Sequence, residues 1–338
     1  MHSRYLLLLI FLQSFALSAI KPADKPYSVH TIAFYNVENL FDTEDDPITN
    51  DNQFTPGGKY QWDGTRYLRK QKQIAEVISK TGDDDGPEFI GLAEAENARV
   101  LNDLINQPAI KRFSYKFLHF DSPDERGIDV ALLYKSSVFV PLQAQAIYPS
   151  KSKRVSMNTR DILLVKGLFK KDTLIFLINH WPSRRAGKEQ TADKRMTVAM
   201  KVREICDSLF KKSPKANIIV MGDFNDEPQD ASLSTMLLGK SNEQIKYDEL
   251  YNGYFKAKEK GEGTIKHNKD WLLIDQILIS KNFLSKYYVK NSCTVFHPLW
   301  LHYKGHISNG PYRTFNNGKY QPDGYSDHFP VYLHIRVN

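Results

Sequence analysis

Five places in the chain set polar, chemically capable residues at the end of an apolar run. They are Phe34-Tyr35-Asn36-Val37-Glu38, Ile90-Gly91-Leu92-Ala93-Glu94-Ala95-Glu96-Asn97, Leu177-Ile178-Asn179-His180-Trp181-Pro182-Ser183-Arg184 and Ile219-Val220-Met221-Gly222-Asp223-Phe224-Asn225-Asp226. The fifth pairs Leu272-Leu273-Ile274-Asp275 with Tyr325-Ser326-Asp327-His328-Phe329-Pro330. Together they offer carboxylates for a hard divalent cation, two histidines and two amides, with no serine elbow and no cysteine–histidine pair. That inventory suits metal-assisted attack of water on a phosphate ester better than acyl transfer.

Singly, each place is weak. A strand-terminal asparagine is usually a turn former, and His180 beside Trp181 reads equally well as a packing histidine. Asp275 is harder to dismiss, because a carboxylate between Ile274 and Gln276-Ile277-Leu278-Ile279 has to be paired if it is buried. Asp223 and Asn225, two residues apart, place both side chains on one side of an extended segment.

The elements that must carry these residues are mostly strands. Short apolar runs bounded by turn residues predict strands over Val29–Asn36, Glu88–Glu94, Ile128–Tyr134, Ile162–Phe169, Leu174–Asn179, Ile218–Met221, Leu272–Ile279 and Val331–Ile335. Helical spacing predicts a helix over Arg66–Ser79, with Leu68, Ile74, Ala75 and Ile78 on one face, and another over Thr191–Phe210, buried through Met196, Ala199, Met200, Val202 and Ile205. Ala98–Asn106 and Ser232–Leu238 read as shorter helices. Strands that follow one another directly favour an α+β sandwich of packed sheets over a doubly wound parallel sheet. Asp42–Gly64 is acidic and then rich in Pro, Gly and Asn. It lacks the D-x-D-x-D-G spacing of a calcium loop and reads as a solvated loop. Phe296–Asp327 reads as irregular.

The chain has 338 residues, a net charge of +7, 41% hydrophobic residues and two cysteines, Cys206 and Cys293. This excludes a disordered or low-complexity chain, a disulfide-rich mini-protein and a thiolate zinc framework. A bond between Cys206 and Cys293 stays open. Residues 1–19 have the layout of a secretory signal: Arg4, an apolar run from Tyr5 to Leu12, then Ala16, Ser18 and Ala19. The expectation is an exported protein, secreted or periplasmic, with no stable membrane association once the leader is removed. Without a composition break, 20–338 reads as one domain. Nothing in it points to a protein partner, and it is read as a monomer.

Taken in order, the five places resemble the endonuclease/exonuclease/phosphatase superfamily. That group includes deoxyribonuclease I, exonuclease III, apurinic endonucleases, neutral sphingomyelinases and inositol polyphosphate 5-phosphatases. Asn36 looks like its opening asparagine motif. Glu94 stands where the family has its metal-binding glutamate, although the usual preceding Gln is Ala93 here. Arg126-Gly127-Ile128-Asp129-Val130-Ala131 resembles a strand common in bacterial members, with Asp129 in a structural or supporting part. His180-Trp181, Gly222-Asp223-Phe224-Asn225, Asp275 and Ser326-Asp327-His328 match the remaining motifs. The resemblance implies a deoxyribonuclease I-like, four-layered α/β/β/α sandwich with two central, mostly antiparallel sheets. It also implies Mg²⁺ or Mn²⁺ held by Glu94, Asn36 and Asp327.

In that family His328, oriented by Asp275, would take a proton from water, with Asp223 able to share the role. Asn225 would hold a phosphate oxygen or the nucleophile, and His180 would donate to the phosphoryl oxygen or leaving group. Arg184 and Arg160 are candidate phosphate ligands, and Arg185 and Arg195 are further ones. Export, positive charge and aromatics near the motifs (Tyr35, Trp181, Tyr325) fit nucleic acid as substrate. The alternative is a phosphatase or phosphodiesterase for inositol phosphates or phospholipid head groups. The inositol phosphatases' Pro-Ala-Trp-Cys before the late aspartate is not matched by Trp271-Leu272-Leu273-Ile274.

Overall fold

The computed structural model describes residues 27–149 and 157–337; the expected leader, 1–19, lies outside the described residues. Eight strands and three helices carry most of the argument. The strands are β1 (Ser28–Leu40), β2 (Phe89–Ala95), β3 (Tyr115–His119), β4 (Asp129–Lys135), β5 (Phe139–Ile147), β6 (Ile162–Phe169), β7 (Asp172–His180) and β8 (Asn217–Asp223). The helices are α1 (Gly64–Lys80), α2 (Ala98–Ile105) and α3 (Ala192–Lys212).

Two mixed, mostly antiparallel sheets lie at the centre. The six-stranded sheet runs Thr294–Val295, Val331–Val337, β1, β2, β4, β3. The seven-stranded sheet runs β5, β6, β7, β8, Asp275–Ser280, Leu250–Asn252, Gly239–Lys240. Each sheet holds one long parallel pair, β1 with β2 and β7 with β8. A parallel pair needs a crossover long enough for a helix, and α1 and α3 lie on those crossovers. The expected sandwich of sheets flanked by helices is what the chain forms.

The sheets meet through aromatic rings. Phe89 packs on Phe139, Phe169 and Phe176 at centroid distances of 5.2, 5.7 and 4.8 Å. A separate apolar cluster under α3 joins Val198, Ala199, Val202 and Cys206 to Leu177, Ile218 and Val220. Cys206 and Cys293 are both free thiols. Among the described residues no helix is long and apolar enough to cross a membrane.

Helix α1 starts where Asp63 accepts a hydrogen bond from the Arg66 N–H, satisfying one of the unpaired donors of its first turn. Its buried stripe is Tyr67, Lys70, Gln71, Ile74, Ala75 and Ile78, with Val77, whereas Leu68 is 60% exposed. The spacing 67, 70, 71, 74, 75, 78 is that of one helix face. Two polar residues stand on it, and they turned the apolar reading towards Leu68. The same happens on α3, where Arg195, Val198 and Arg203 are buried and Met200 is 54% exposed. The expected helix at Ser232–Leu238 is a single π turn, Ser232–Met236.

The acidic loop is not simply solvated. Asp42 and Asp51 are buried, and Trp62 is fully buried with its indole N–H donating to the Phe41 carbonyl. Phe315, in the irregular C-terminal segment, packs edge-on against Phe54 and tilted against Tyr60 and Trp62.

Candidate active site

The two parallel strand pairs end at the same rim of the sandwich. Asn36 and Glu94 come from β1 and β2; His180 and Asp223 come from β7 and β8. Each pair is joined by an antiparallel neighbour entering from the rim. Asp275 opens its strand directly opposite Asp223 in register. Phe34 pairs with Val331, three residues after His328. His180, Asp223 and Asp275 therefore stand side by side on three adjacent strands.

Local backbone irregularities aim the side chains. The β2–β4 register slips between Ala93 and Ala95, and Glu94 between them has φ 67°. Such a bulge re-aims the extra side chain, and here it points Glu94 towards His180. Glu38, Asn39 and Asn225 are also left-handed, with φ of 50°, 51° and 50°. Non-glycine residues in that region carry a conformational cost that the surrounding structure must hold in place. Gly222 is required for another reason: a Cβ there would sit 2.4 Å from the Asn179 carbonyl oxygen, so β7 and β8 could not close.

Asp223 is the hub. Its Oδ2 lies 3.6 Å from His180 Nε2 and 3.8 Å from His328 Nε2, and accepts from Asn36 Nδ2 at 3.0 Å. Its Oδ1 accepts the Asn225 N–H at 2.9 Å, while the Asn225 amide donates to the Trp181 carbonyl at 3.0 Å. His328 Nδ1 is bonded to Asp275 Oδ2 at 2.7 Å. Glu94 Oε1 lies 3.9 Å from His180 Nε2, and Glu94 Oε2 accepts the Asn39 N–H at 2.9 Å. Asp327 Oδ1 is 3.9 Å from His328 Nε2.

The two histidines are driven to opposite charge states. Burial, reinforced by the Arg160 and Arg126 charges, lowers His180 well below the usual histidine value. Burial would lower His328 too, but the charge and hydrogen bond of Asp275 outweigh it and raise it well above that value. Burial and the charge of Asp275 push Asp223 upwards. Burial acts against ionised Glu94 as well, but Arg126, His328 and the Asn39 N–H outweigh it and keep Glu94 anionic. The resting site thus holds a neutral His180, a cationic His328 and, between them, a carboxylate with unusual affinity for a proton.

Both candidate phosphate arginines are committed to internal partners. Arg160 donates to Asp124 Oδ2 at 2.9 Å and to the carbonyls of His180 and Trp181 at 3.2 and 2.7 Å. Arg184 grips the Asn225 carbonyl, Asp226 and Asp230. In this structure they tie down the segments that carry His180 and Asn225. Arg195 likewise is buried against Asp226 at 2.7 Å. Asp129 takes a supporting part, accepting the Ser122 N–H at 3.0 Å with His119 Nε2 at 3.3 Å.

Sequence reasoning missed Glu38 and Lys70. Lys70 is buried on α1 and donates to Thr314 Oγ1 at 2.6 Å and to the Tyr325 carbonyl at 2.5 Å. Glu38 accepts the Thr314 N–H at 2.6 Å. Ser326 Oγ completes the clamp, donating to the Asn36 carbonyl at 2.7 Å and accepting the His328 N–H at 3.1 Å. The available signal was a lysine at i−4 from Ile74 on an otherwise apolar stripe.

The chemistry of the donor set fits a divalent cation. Glu38, Glu94, Asp223, Asp275 and Asp327 crowd one buried rim; burial and the Asp327 charge raise Glu38, and burial lowers its neighbour Lys70. Asp275 Oδ1 and His180 Nδ1 are buried without a hydrogen-bond partner. Hard oxygen ligands in such excess are what Mg²⁺ or Mn²⁺ takes. Asp223, Asp275 and His328 set ligand-type atoms within 4.8 Å of one another, a candidate metal cluster in which a cationic His328, bonded to Asp275, has no lone pair to give and only the carboxylates can serve a cation. Glu94, Asn36 and Asp327 border it.

Beside the rim, Asp42, Glu44, Asp45, Asp46, Glu96 and Asp129 line a pocket of about 270 Å³. Burial, then the charges of Asp42, Asp51 and Asp46, push Glu96 up to about 8. An unfolded glutamate releases its proton near pH 4.3. The native state therefore binds more protons than the unfolded one between there and pH 8, and stability falls as pH rises through that window. Glu96→Gln removes this term. Its stability relative to wild type should rise by about 2–4 kcal/mol between pH 5 and pH 8. Urea unfolding at both pH values checks it; a constant gap counts against the assignment.

The chain matches the profile described as "Endonuclease/Exonuclease/phosphatase family" over residues 31–337. No curated protein gives a significant match. Among solved structures, it resembles truncated Caenorhabditis elegans TDP2 at a TM-score of 0.56 and 14% identity, covering 91% of this chain and 98% of that one. D. rerio TDP2 complexed with a single-strand DNA product gives 0.55 and 16%, covering 92% and 100%. An endonuclease/exonuclease/phosphatase family protein from Bacteroides thetaiotaomicron gives 0.52 and 16%, covering 92% and 99%. At these identities the likeness is one of fold.

Proposed function

The chain belongs to the endonuclease/exonuclease/phosphatase family and is a hydrolase of phosphoester bonds; from that premise we propose that it is an exported, metal-dependent nuclease cutting nucleic-acid phosphodiesters. The observation that carries the mechanism is Asp223 Oδ2 poised between a neutral and a cationic histidine, 3.6 and 3.8 Å away. A carboxylate pushed upwards by burial is a competent proton acceptor near neutrality. Asp223 takes the proton of the attacking water, with Asn225 and Asn36 fixing its orientation. His328, held as imidazolium by Asp275, places a positive N–H where charge builds on the phosphoryl oxygens. His180, neutral, donates a hydrogen bond to the phosphate or leaving oxygen. Glu94, Asn36 and Asp327 would hold Mg²⁺ or Mn²⁺, which when bound polarises the scissile phosphate.

Two observations support nucleic acid as the substrate: the net charge of +7 and the single-strand DNA product held by one structural neighbour. Of the aromatics expected near the motifs, Tyr35 and Trp181 are fully buried and have no free face for a base. The test is a substrate panel after chelation and Mg²⁺ replacement, comparing plasmid DNA, RNA, inositol phosphates, sphingomyelin and a generic phosphodiester. Cleavage of a polynucleotide that chelator removes and Mg²⁺ restores is the expected result. Turnover confined to inositol phosphates or sphingomyelin overturns the nuclease reading, and chelator-resistant turnover overturns the metal.

A further inference from the structure

A second basic feature lies next to the rim. The segment leaving β7, the first turn of α3 and the stretch before β6 enclose a cleft of about 240 Å³. Its lining includes Thr159, Arg160, Ser183, Arg185, Thr191 and Lys194. Pockets for whole drug-sized ligands run from about 300 Å³, so this one suits a chemical group rather than a molecule.

Every charged lining group is a cation. Arg160 is already neutralised by Asp124 at 2.9 Å. Arg185 and Lys194 are exposed, and among the described residues neither side chain has an ion-pair or hydrogen-bond partner. The cleft also has an unsatisfied floor: Thr159 is 3% exposed and its buried Oγ1 has no hydrogen-bond partner. A buried hydroxyl left unpaired is costly unless a ligand or water completes it.

Helix α3 adds to the field. It is 21 residues long, and no side chain caps its N-terminus at Thr191. The positive end of its dipole favours an anion there, although the N–H groups of Ala192, Lys194 and Arg195 already bond backbone carbonyls. Asp193 lies in that turn but is exposed and is not part of the lining. The cleft adjoins the catalytic centre: Pro182 and Ser183 follow His180, and the Arg185 charge reaches the His180 ring.

We propose that this cleft is a second phosphate subsite, which receives a phosphate flanking the scissile one on the same substrate. The proposal rests on the phosphodiesterase reading above and sharpens it: the preferred substrate carries at least two phosphates in series. A phosphate's several acceptor oxygens match a guanidinium, an ammonium and a hydroxyl that line one cleft.

The test uses the exposed pair, Arg185→Gln with Lys194→Gln, in the full chain. Inorganic phosphate is first titrated calorimetrically with chelator present. Weakening of about tenfold in the double variant is expected; equal affinity for both proteins overturns the subsite. Hydrolysis is then compared on a thymidine dinucleotide, which has one phosphate, and on a trinucleotide, which has two. The ratio of kcat/KM for the longer over the shorter substrate should fall about tenfold in the double variant. An unchanged ratio overturns the proposal. If wild type cuts neither oligonucleotide, it is the nuclease reading that fails, and the phosphate titration alone decides the subsite.

Discussion

Asp223→Asn should lower kcat/KM by about 10³- to 10⁵-fold on any phosphoester the enzyme cleaves, while the protein stays folded. The carboxylate is buried, and one of its oxygens faces both histidines. An amide keeps the volume and can still accept the Asn225 N–H, but it cannot take a proton from water. Stability should hold or rise, because the substitution removes a charge that Asp275 repels. The pH profile carries a second signature. Since burial and Asp275 raise the Asp223 carboxyl, wild-type activity should fall on acidification from a pH above the ordinary carboxylate range. The residual activity of the variant should lack that limb. Steady-state kinetics against pH, with circular dichroism melts, provide the check. Activity within tenfold of wild type would remove Asp223 from the mechanism.

Lys70→Met should destabilise the protein by about 2–4 kcal/mol. The ammonium is buried and donates to Thr314 Oγ1 and the Tyr325 carbonyl, and its charge offsets those of Glu38 and Asp327. Methionine fills the stem but leaves the carboxylates facing each other. Glu38→Gln added to Lys70→Met should recover part of the loss, since the amide oxygen can still accept the Thr314 N–H. Such coupling is what neighbouring buried charges produce. Urea unfolding of the four proteins in that cycle measures it. A single variant within about 0.5 kcal/mol of wild type would mean the clamp contributes nothing.

The strands and the ends that carry chemistry were legible because both were written locally. An apolar run followed by Asn36, Glu94, His180 or Asp223 needs only its neighbours to be read. Among the strands of five residues or more, β3 and β5 escaped, as did the short Gly239–Lys240, Leu250–Asn252 and Thr294–Val295. β5 opens on buried Phe139 but is otherwise exposed or half-buried, and Pro141, Gln143 and Gln145 break its apolar pattern, as an edge strand allows. β3 is only five residues long and mostly half-buried. The bulge at Glu94 was invisible because Ala93-Glu94-Ala95 has no turn residue to announce it. Lys70 and Arg184 were misplaced for a shared reason. Each is a cation whose partners, Thr314 and Tyr325 for one and Asp226 and Asp230 for the other, lie far along the chain. A long polar side chain read without its partners looks solvent-bound or free for a ligand. The acidic loop failed in the same way, its burial depending on Trp62 and on Phe315 from the other end of the chain.

The strand Val331–Val337 lies between β1 and Thr294–Val295, so the chain's final strand is an interior one. During synthesis β1 emerges early and must wait, one long edge unpaired, until Val331–Val337 has left the ribosome. Asn36 and His328, at opposite ends of the sequence, can face each other only after that strand slots in. A chain shortened to end before Val331 should therefore show no phosphoester hydrolysis, because the strand that brings His328 to the rim beside β1 is missing.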